Sequence, residues 1–191
     1  MRPLFVVFEG LDGTGKSTLA SVVAKQLGAE LLSTPPAELG GVRPVVDELY
    51  RGHPVASQQF YASTLAFASD RAREALARSE SVVVDRYVLS TLVYDALRPG
   101  AVPLDTIVET LAVPDVTVFV KVPEEVRRER LASRGNLTPA DREALDHAPE
   151  LLVRYEELLA DRPCGRVLRL VNDGSPDAGV RRVLAFLEGA R

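Results

Sequence analysis

The run Gly10-Leu11-Asp12-Gly13-Thr14-Gly15-Lys16-Ser17 constrains this chain more than any other feature. It meets G-x-x-x-x-G-K-[ST] at every fixed position, between a short apolar run, Leu4–Phe8, and an amphipathic stretch, Lys16–Leu27. In a strand–loop–helix context, glycines allow the torsions that turn successive backbone N–H groups inward, cradling an anion at a helix N-terminus. Lys16 then places a mobile charge on the β and γ phosphates, and the Ser17 hydroxyl is a magnesium ligand. The loop therefore predicts a site for ATP and Mg2+ built from Gly10, Asp12, Gly13, Thr14, Gly15, Lys16, Ser17 and Thr18.

The rest of the chain alternates short apolar runs with longer helical stretches. Candidate strands are Leu4–Phe8, Glu30–Ser33, Ser81–Val84, Val116–Val122 and Arg166–Val171. Several are unbroken Val, Leu and Phe runs, which suits strands covered on both faces. Helical segments are expected at about Lys16–Leu27, Val42–Tyr50, Gln58–Arg78, Thr91–Leu97, Leu104–Leu111, Glu124–Ser133, Ala148–Leu159 and Ala178–Glu188. This alternation predicts a three-layer α/β fold of the P-loop NTPase type, with a five-stranded parallel sheet flanked by helices and right-handed crossovers. No linker or repeat divides residues 1–191, so a single domain is expected. The segment Arg134–Pro149, with Gly135, Asn136, Pro139 and scattered charge, reads as a small lid, because a loop this long inside a compact domain is usually functional.

Composition narrows the partners. Lys and Arg number 23 against 27 Asp and Glu, a net charge of −4, whereas a nucleic-acid binder usually carries a basic surplus. No apolar run approaches the ~18 residues of a membrane span, and Leu4–Phe8 is too short for a signal-peptide core. One cysteine, Cys164, and two histidines exclude an internal disulfide and a zinc-type cluster. The expectation is a cytoplasmic protein with a small-molecule nucleotide substrate and with neither nucleic acid nor membrane as partner.

A second motif follows the run Ser81–Val84. Asp85-Arg86-Tyr87 would emerge at the carboxyl edge of a parallel sheet, where ligands bind, beside the phosphate loop. There Asp85 suits a magnesium-bound water, and Arg86 a transferred or acceptor phosphate gripped bidentately. Arg127, Arg128, Arg130, Arg134 and Arg142 concentrate positive charge further on, and Arg127, Arg130 and Arg134 fall near one helix face together with Leu131. At least one of them is expected on a phosphate, while Glu124 is spaced to pair with Arg128. The guanine signature N-K-x-D of a GTPase switch is absent from the sequence.

These motifs together resemble the thymidylate kinase family. Phe8 to Thr18 looks like its phosphate loop, including the acidic residue within it. Leu65-Ala66-Phe67-Ala68-Ser69-Asp70-Arg71-Ala72 is similar to its nucleobase helix, and Asp85 to Tyr94 resembles D-R-Y-x-x-S-x-x-x-Y. Pro114-Asp115-Val116 through Gly135 is similar to its P-D-x-T strand and arginine-bearing lid. The resemblance implies that Lys16 and Ser17 serve ATP and magnesium, that Asp12 faces the acceptor sugar, and that Phe67 stacks on the acceptor base while Arg71 bonds its edge. It further implies that Arg86 binds the acceptor phosphate with Asp85 beside the metal, that Ser90 and Thr91 line the base pocket, and that Tyr94 sits against the ribose. Arg134 or a neighbour would reach the transferring phosphoryl group when the lid closes. Enzymes of this resemblance often form homodimers through helices, although no heptad or apolar stripe here establishes one.

The sequence departs from the family at Ser33-Thr34-Pro35-Pro36-Ala37-Glu38, where an arginine for the acceptor phosphate is usual and none stands. Arg43 lies downstream as a substitute. Lys121 stands where the family often has an acidic residue. The leading expectation is transfer of the ATP γ-phosphoryl group to dTMP. Alternatives are another pyrimidine monophosphate (CMP, UMP or dUMP), an unphosphorylated nucleoside-like metabolite, or a nucleotide-binding regulatory protein.

Overall fold

The computed structural model describes residues 2–98, 100, 102–133, 135, 142 and 145–190. In chain order its elements are β1 (Phe5–Glu9), α1 (Lys16–Leu27), β2 (Glu30–Ser33), α2 (Arg43–Leu49), α3 (Pro54–Ala77), β3 (Val82–Asp85), α4 (Val88–Asp95), α5 (Asp105–Val108), β4 (Val116–Lys121), α6 (Glu124–Ser133), α7 (Ala148–Asp161), β5 (Arg166–Val171) and α8 (Pro176–Glu188). The strands form one parallel sheet in the order β2-β3-β1-β4-β5. The expected three-layer α/β architecture is what forms.

Burial of both faces explains the unbroken apolar runs. Val6 and Phe8 of β1 pack with Val116, Val118 and Val120 of β4 against Leu19 and Val23 of α1 and Val180, Val183 and Leu187 of α8. Phe5 and Val7 point the other way, with Val82 and Val84, against Leu65, Ala68, Ala72 and Ala75 of α3. Small alanines on that face of α3 let the long helix lie close to the sheet. A third cluster joins Leu89 and Val93 of α4, Phe119 of β4 and Leu151, Tyr155 and Leu158 of α7.

Sheet order positions the site. From β1 the chain crosses outward to β2, returns to β3 beside β1, and later enters β4 on the other side. Helices therefore leave the carboxyl ends of β1's neighbours on opposite faces, opening a crevice there. Phe8 is in register with Asp85 and Ser33 with Asp85, so the phosphate loop, Arg86 and the end of β2 emerge side by side.

Two strands run one residue further than expected, taking in Glu9 and Asp85. Pairing is a backbone property, and both carboxylates sit at the edge where polar partners are at hand. Helix α3 begins at Pro54 rather than Gln58, with its proline in the first turn where no N–H is needed. Helix α4 begins three residues before the expected Thr91, and α5 is only one turn. Of the expected lid, the described residues are 135, 142 and 145–149, so Arg134 lies outside them. Among the described residues no helix is long and apolar enough to cross a membrane, and no cluster of three or more His, Cys, Asp or Glu stands ready for a metal ion.

Gly165, in the turn from α7 to β5, has φ of 62°, and a Cβ there would lie 2.2 Å from the Pro114 oxygen and 2.3 Å from that of Asp115. Both atoms are backbone and cannot swing aside. Gly165→Ala is expected to destabilise the fold by about 3 kcal/mol, combining left-handed strain with the collision. Urea unfolding checks this, and a loss below about 1 kcal/mol would show that the turn relaxes freely.

Candidate active site

The phosphate loop is held from outside. Arg127 of α6 donates from Nη1 to the Asp12 oxygen at 3.3 Å, and Arg130 from Nη1 to the Thr14 oxygen at 3.2 Å. Asn172, just past β5, donates to the same Thr14 oxygen at 2.8 Å and accepts from Arg130 through its own carbonyl at 3.0 Å. In a trans peptide the C=O and the following N–H point in opposite directions. Drawing the Asp12 and Thr14 carbonyls outward therefore turns the Gly13 and Gly15 N–H groups into the cradle. Gly13 has φ of 84°, and a Cβ would lie 2.9 Å from Leu131 Cγ and 3.0 Å from the Arg127 oxygen, so this close approach of α6 requires glycine. Inside the loop, Thr14 Oγ1 and Lys16 Nζ both donate to the Leu11 oxygen, at 2.9 and 3.3 Å. Burial lowers the Lys16 pKa to about 8, with the Arg86 charge acting in the same direction and Asp12 opposing.

The lid-type arginines thus divide. Arg127 is 2% exposed and locked onto Glu124 at 2.7 and 2.9 Å. Arg128 is exposed and pairs with Glu124 at 2.9 Å, as the i, i+4 spacing predicts. Arg127 and Arg130 reach the loop's backbone, and Arg142 is exposed.

Beyond the loop, one group gathers several of the expected residues. Asp12 accepts from Arg86 Nη2 and from the Tyr94 hydroxyl at 3.1 Å, and lies 3.6 Å from Lys16 Nζ. Burial alone would raise its pKa, but Arg86 and then Lys16 pull it well below the usual carboxylate range. The Arg86 guanidinium lies 5.4 Å from the Tyr94 ring centroid and donates to Ser90 Oγ at 3.2 Å and the Gly10 oxygen at 3.4 Å. Arg86 has φ of 68°, a costly conformation for a side-chain-bearing residue. Its backbone is held there by the N–H bond to Phe8 at 2.9 Å and by Thr34 Oγ1 donating to its oxygen at 2.8 Å. Thr91 is half-buried on the next turn, bonded through its backbone to Tyr87.

Glu9, Tyr155 and Asn172 carried no functional reading in the sequence, yet all touch this network. Tyr155 lies 3.0 Å from Ser90 Oγ and donates to the Gly10 oxygen at 3.3 Å. Tyr155 and Asn172 reach the site from distant segments, and Glu9 turns from the end of β1 to partners on α4, so no local spacing announces these contacts.

Asp85 Oδ1 is a buried side-chain oxygen with no hydrogen-bond partner. An orphaned carboxylate oxygen is costly unless a cation or its water meets it, and a hard oxygen donor whose charge reaches Lys16 of the loop suits Mg2+. The residues present therefore fit the ion. Ser17 and Thr18 are exposed at the mouth of the loop.

Phe67 and Arg71 share a face of α3, as their spacing predicts, and line a cleft with Glu30, Leu31, Ser33, Pro36 and Glu38 along the outer edge of β2. Phe67 is 52% exposed, and Arg71 is ion-paired to Glu30. Neither touches the Asp12–Arg86 group; the cleft approaches it through Ser33, which is in register with Asp85. Arg43 donates to the Tyr61 hydroxyl at 3.3 Å and lies 3.6 Å from Asp47.

The fold and the site define a P-loop phosphotransferase. The family model described as thymidylate kinase matches residues 8–168, and the chain belongs to the thymidylate kinase family. A thymidylate kinase from Rhodopseudomonas palustris is 31% identical over 216 aligned positions, covering 100% of this chain and 93% of the relative. A probable thymidylate kinase from Methanococcus vannielii is 30% identical over 68% of this chain and 66% of its own, so this chain spans about two thirds of that protein. The solved thymidylate kinase from Candida albicans superposes with a TM-score of 0.75 at 18% identity, covering 98% and 92% of the two chains, a likeness of fold.

Loss of the Asn172 side-chain donor leaves the Thr14 carbonyl with Arg130 alone. Asn172→Ala is expected to raise the KM for ATP about five- to tenfold, the equivalent of one buried hydrogen bond, with the KM for the acceptor within about twofold. Steady-state kinetics with each substrate varied in turn would show it. An unchanged KM for ATP would mean that the loop holds its shape without this bond.

Proposed function

We propose that the chain transfers the γ-phosphoryl group of ATP to dTMP, giving ADP and dTDP. The observation that carries the proposal is Arg86, a second, half-buried cation across Asp12 from the loop lysine. A nucleotide hydrolase that binds one triphosphate has no use for it, whereas an acceptor carrying its own phosphate does. Phosphoryl transfer passes through a loose transition state whose charge spreads over equatorial oxygens, so catalysis is positioning and electrostatic stabilisation.

The cradle of inward N–H groups and Lys16 would hold the triphosphate. Ser17 and Asp85 would hold Mg2+, which supplies neutralisation of charge on the phosphate oxygens. Arg86 would hold the acceptor phosphate in line, with Arg43 on α2 as the nearest replacement for the arginine missing from Ser33–Glu38. Support for Arg43 is electrostatic: after burial, Tyr61 and Asp47 raise its pKa while the Arg86 charge lowers it, so the two guanidiniums share one neighbourhood. The cleft between β2 and α3 would take the base, Phe67 stacking on it and Arg71 exchanging Glu30 for the base edge. Tyr94 and Asp12 would meet the sugar, with Ser90 and Thr91 behind them. The lid arginine expected at Arg134 would complete the charge around the transferring group, and a homodimer in the cytoplasm is the setting the family implies.

An ADP-release assay over dTMP, dUMP, CMP, UMP, thymidine and no acceptor tests the reading. Turnover is expected to be highest with dTMP and to vanish with EDTA. Arg86→Met is expected to lower kcat/KM for dTMP by about 100-fold or more while the KM for ATP changes little, since a charge-assisted bidentate contact is lost. Higher turnover with thymidine than with dTMP would overturn the monophosphate reading, and equal ADP release without acceptor would overturn the kinase.

A further inference from the structure

We propose that Glu9 is a positioning residue for the acceptor side of the reaction, acting through Ser90 on Arg86. The inference rests on the kinase reading above; Glu9 is not among the groups given a substrate contact there, and it acts on them from behind.

Helix α4 has no side-chain cap of its own: Tyr87 stands at its N-cap and offers none. Its first N–H groups would be orphaned in an apolar core. Glu9, 0% exposed, supplies the cap from the end of β1. Its Oε1 accepts from Tyr87 N at 3.0 Å and Leu89 N at 3.1 Å, and its Oε2 accepts from Ser90 N at 3.1 Å and from Ser90 Oγ. Four donors thus converge on one buried carboxylate. Burial pushes its pKa up, and Ser90, Arg86 and the Tyr87 amide oppose that shift.

The direction of the last bond carries the argument. A guanidinium only donates, so Ser90 Oγ must accept from Arg86 Nη1, and the serine's single hydrogen must go elsewhere. Two acceptors are in reach, the Glu9 carboxylate and the Tyr155 hydroxyl, and the charged carboxylate is the stronger. The carboxylate therefore sets the Ser90 rotor, which in turn sets one arm of Arg86, while Asp12 sets the other. Tyr155 lies between the same serine and the Gly10 carbonyl, and its one hydrogen can go to either oxygen, so the relay abuts the start of the phosphate loop. A side chain chosen only to fill this space would be apolar, and a local cap would be Ser, Thr, Asp or Asn at Tyr87.

Glu9→Gln keeps the shape and removes one acceptor oxygen, so one pair of converging donors meets an NH2 group. With wild type active on dTMP, the expected result is a rise of about tenfold in the KM for dTMP, with the KM for ATP within about twofold. Ser90→Ala is expected to shift the same constant in the same direction, and the double variant to be no worse than Glu9→Gln alone, because both cut one relay. Additive losses, equal rises in both KM values, or an unchanged KM for dTMP would overturn the inference. If Glu9→Gln does not fold, Ser90→Ala decides by the same split. Wild-type protein that turns over no acceptor would overturn the kinase reading and this inference with it; active wild type with unaffected variants would overturn this inference alone.

Discussion

Two carboxylates on either side of Gly10 bind the phosphate loop to the neighbouring strand end. Glu9 gathers the first turn of α4, and Asp12 takes the free arm of Arg86. Without these contacts β3 would still pair with β1, because that is backbone work, but Arg86 would point wherever solvent and entropy left it. Its left-handed backbone makes the same point: a conformation costing about 1–3 kcal/mol persists only where its surroundings over-determine it. Here the surroundings are the Phe8 carbonyl, the Thr34 hydroxyl and the Glu9 cap one residue on. The loop's other flank is fixed by α6 and Asn172, so its backbone is aimed before any phosphate arrives.

The sheet was legible because burial on both faces writes itself into sequence as apolar runs between turn signals. Glu30–Ser33 and Arg166–Val171 come out as expected, and so do α1 and α6, whose ends carry glycine or first-turn acids. The two helices that start earlier than expected differ in cause: α3 opens on a first-turn proline, a local signal, whereas α4 does not. Helix α4 is capped by a residue 79 positions before its own start, and a cap of that kind leaves no local trace. Its early start places Ser90 on the first turn, where it meets Glu9 and Arg86. Within the site, Asp12, Lys16, Arg86, Ser90 and Tyr94 converge, each carried by a motif with fixed spacing. Asn172, Tyr155 and Glu9 went unread because their partners lie on other elements.

Arginine spacing shows what such reading can mislead about. The i, i+3 pair Arg127 and Arg130 does share a face of α6, but that face is turned onto the loop's carbonyls. Leu131 on the same side packs where a Gly13 side chain would sit, which marks the face as an inner one. A charged residue 2% exposed, in bidentate contact with its own helix's Glu124, is a structural strut for the cradle.

The net charge of −4 and a site for polyanions are reconciled by where the cations sit. Lys16 is buried, Arg86 is half-buried, and both are already faced by Asp12, so an incoming phosphate meets no bare cation. At an effective dielectric of about 20, a unit pair at about 4 Å attracts by about 4 kcal/mol, and Asp12 contributes one such charge to two cations. Phosphate brings more charge and more acceptor oxygens to the same donors, so it can take Asp12's place on either one. Tyr94 donates to Asp12 as well and keeps the displaced carboxylate partnered. Asp12 therefore stands as an internal anion that keeps both cations oriented.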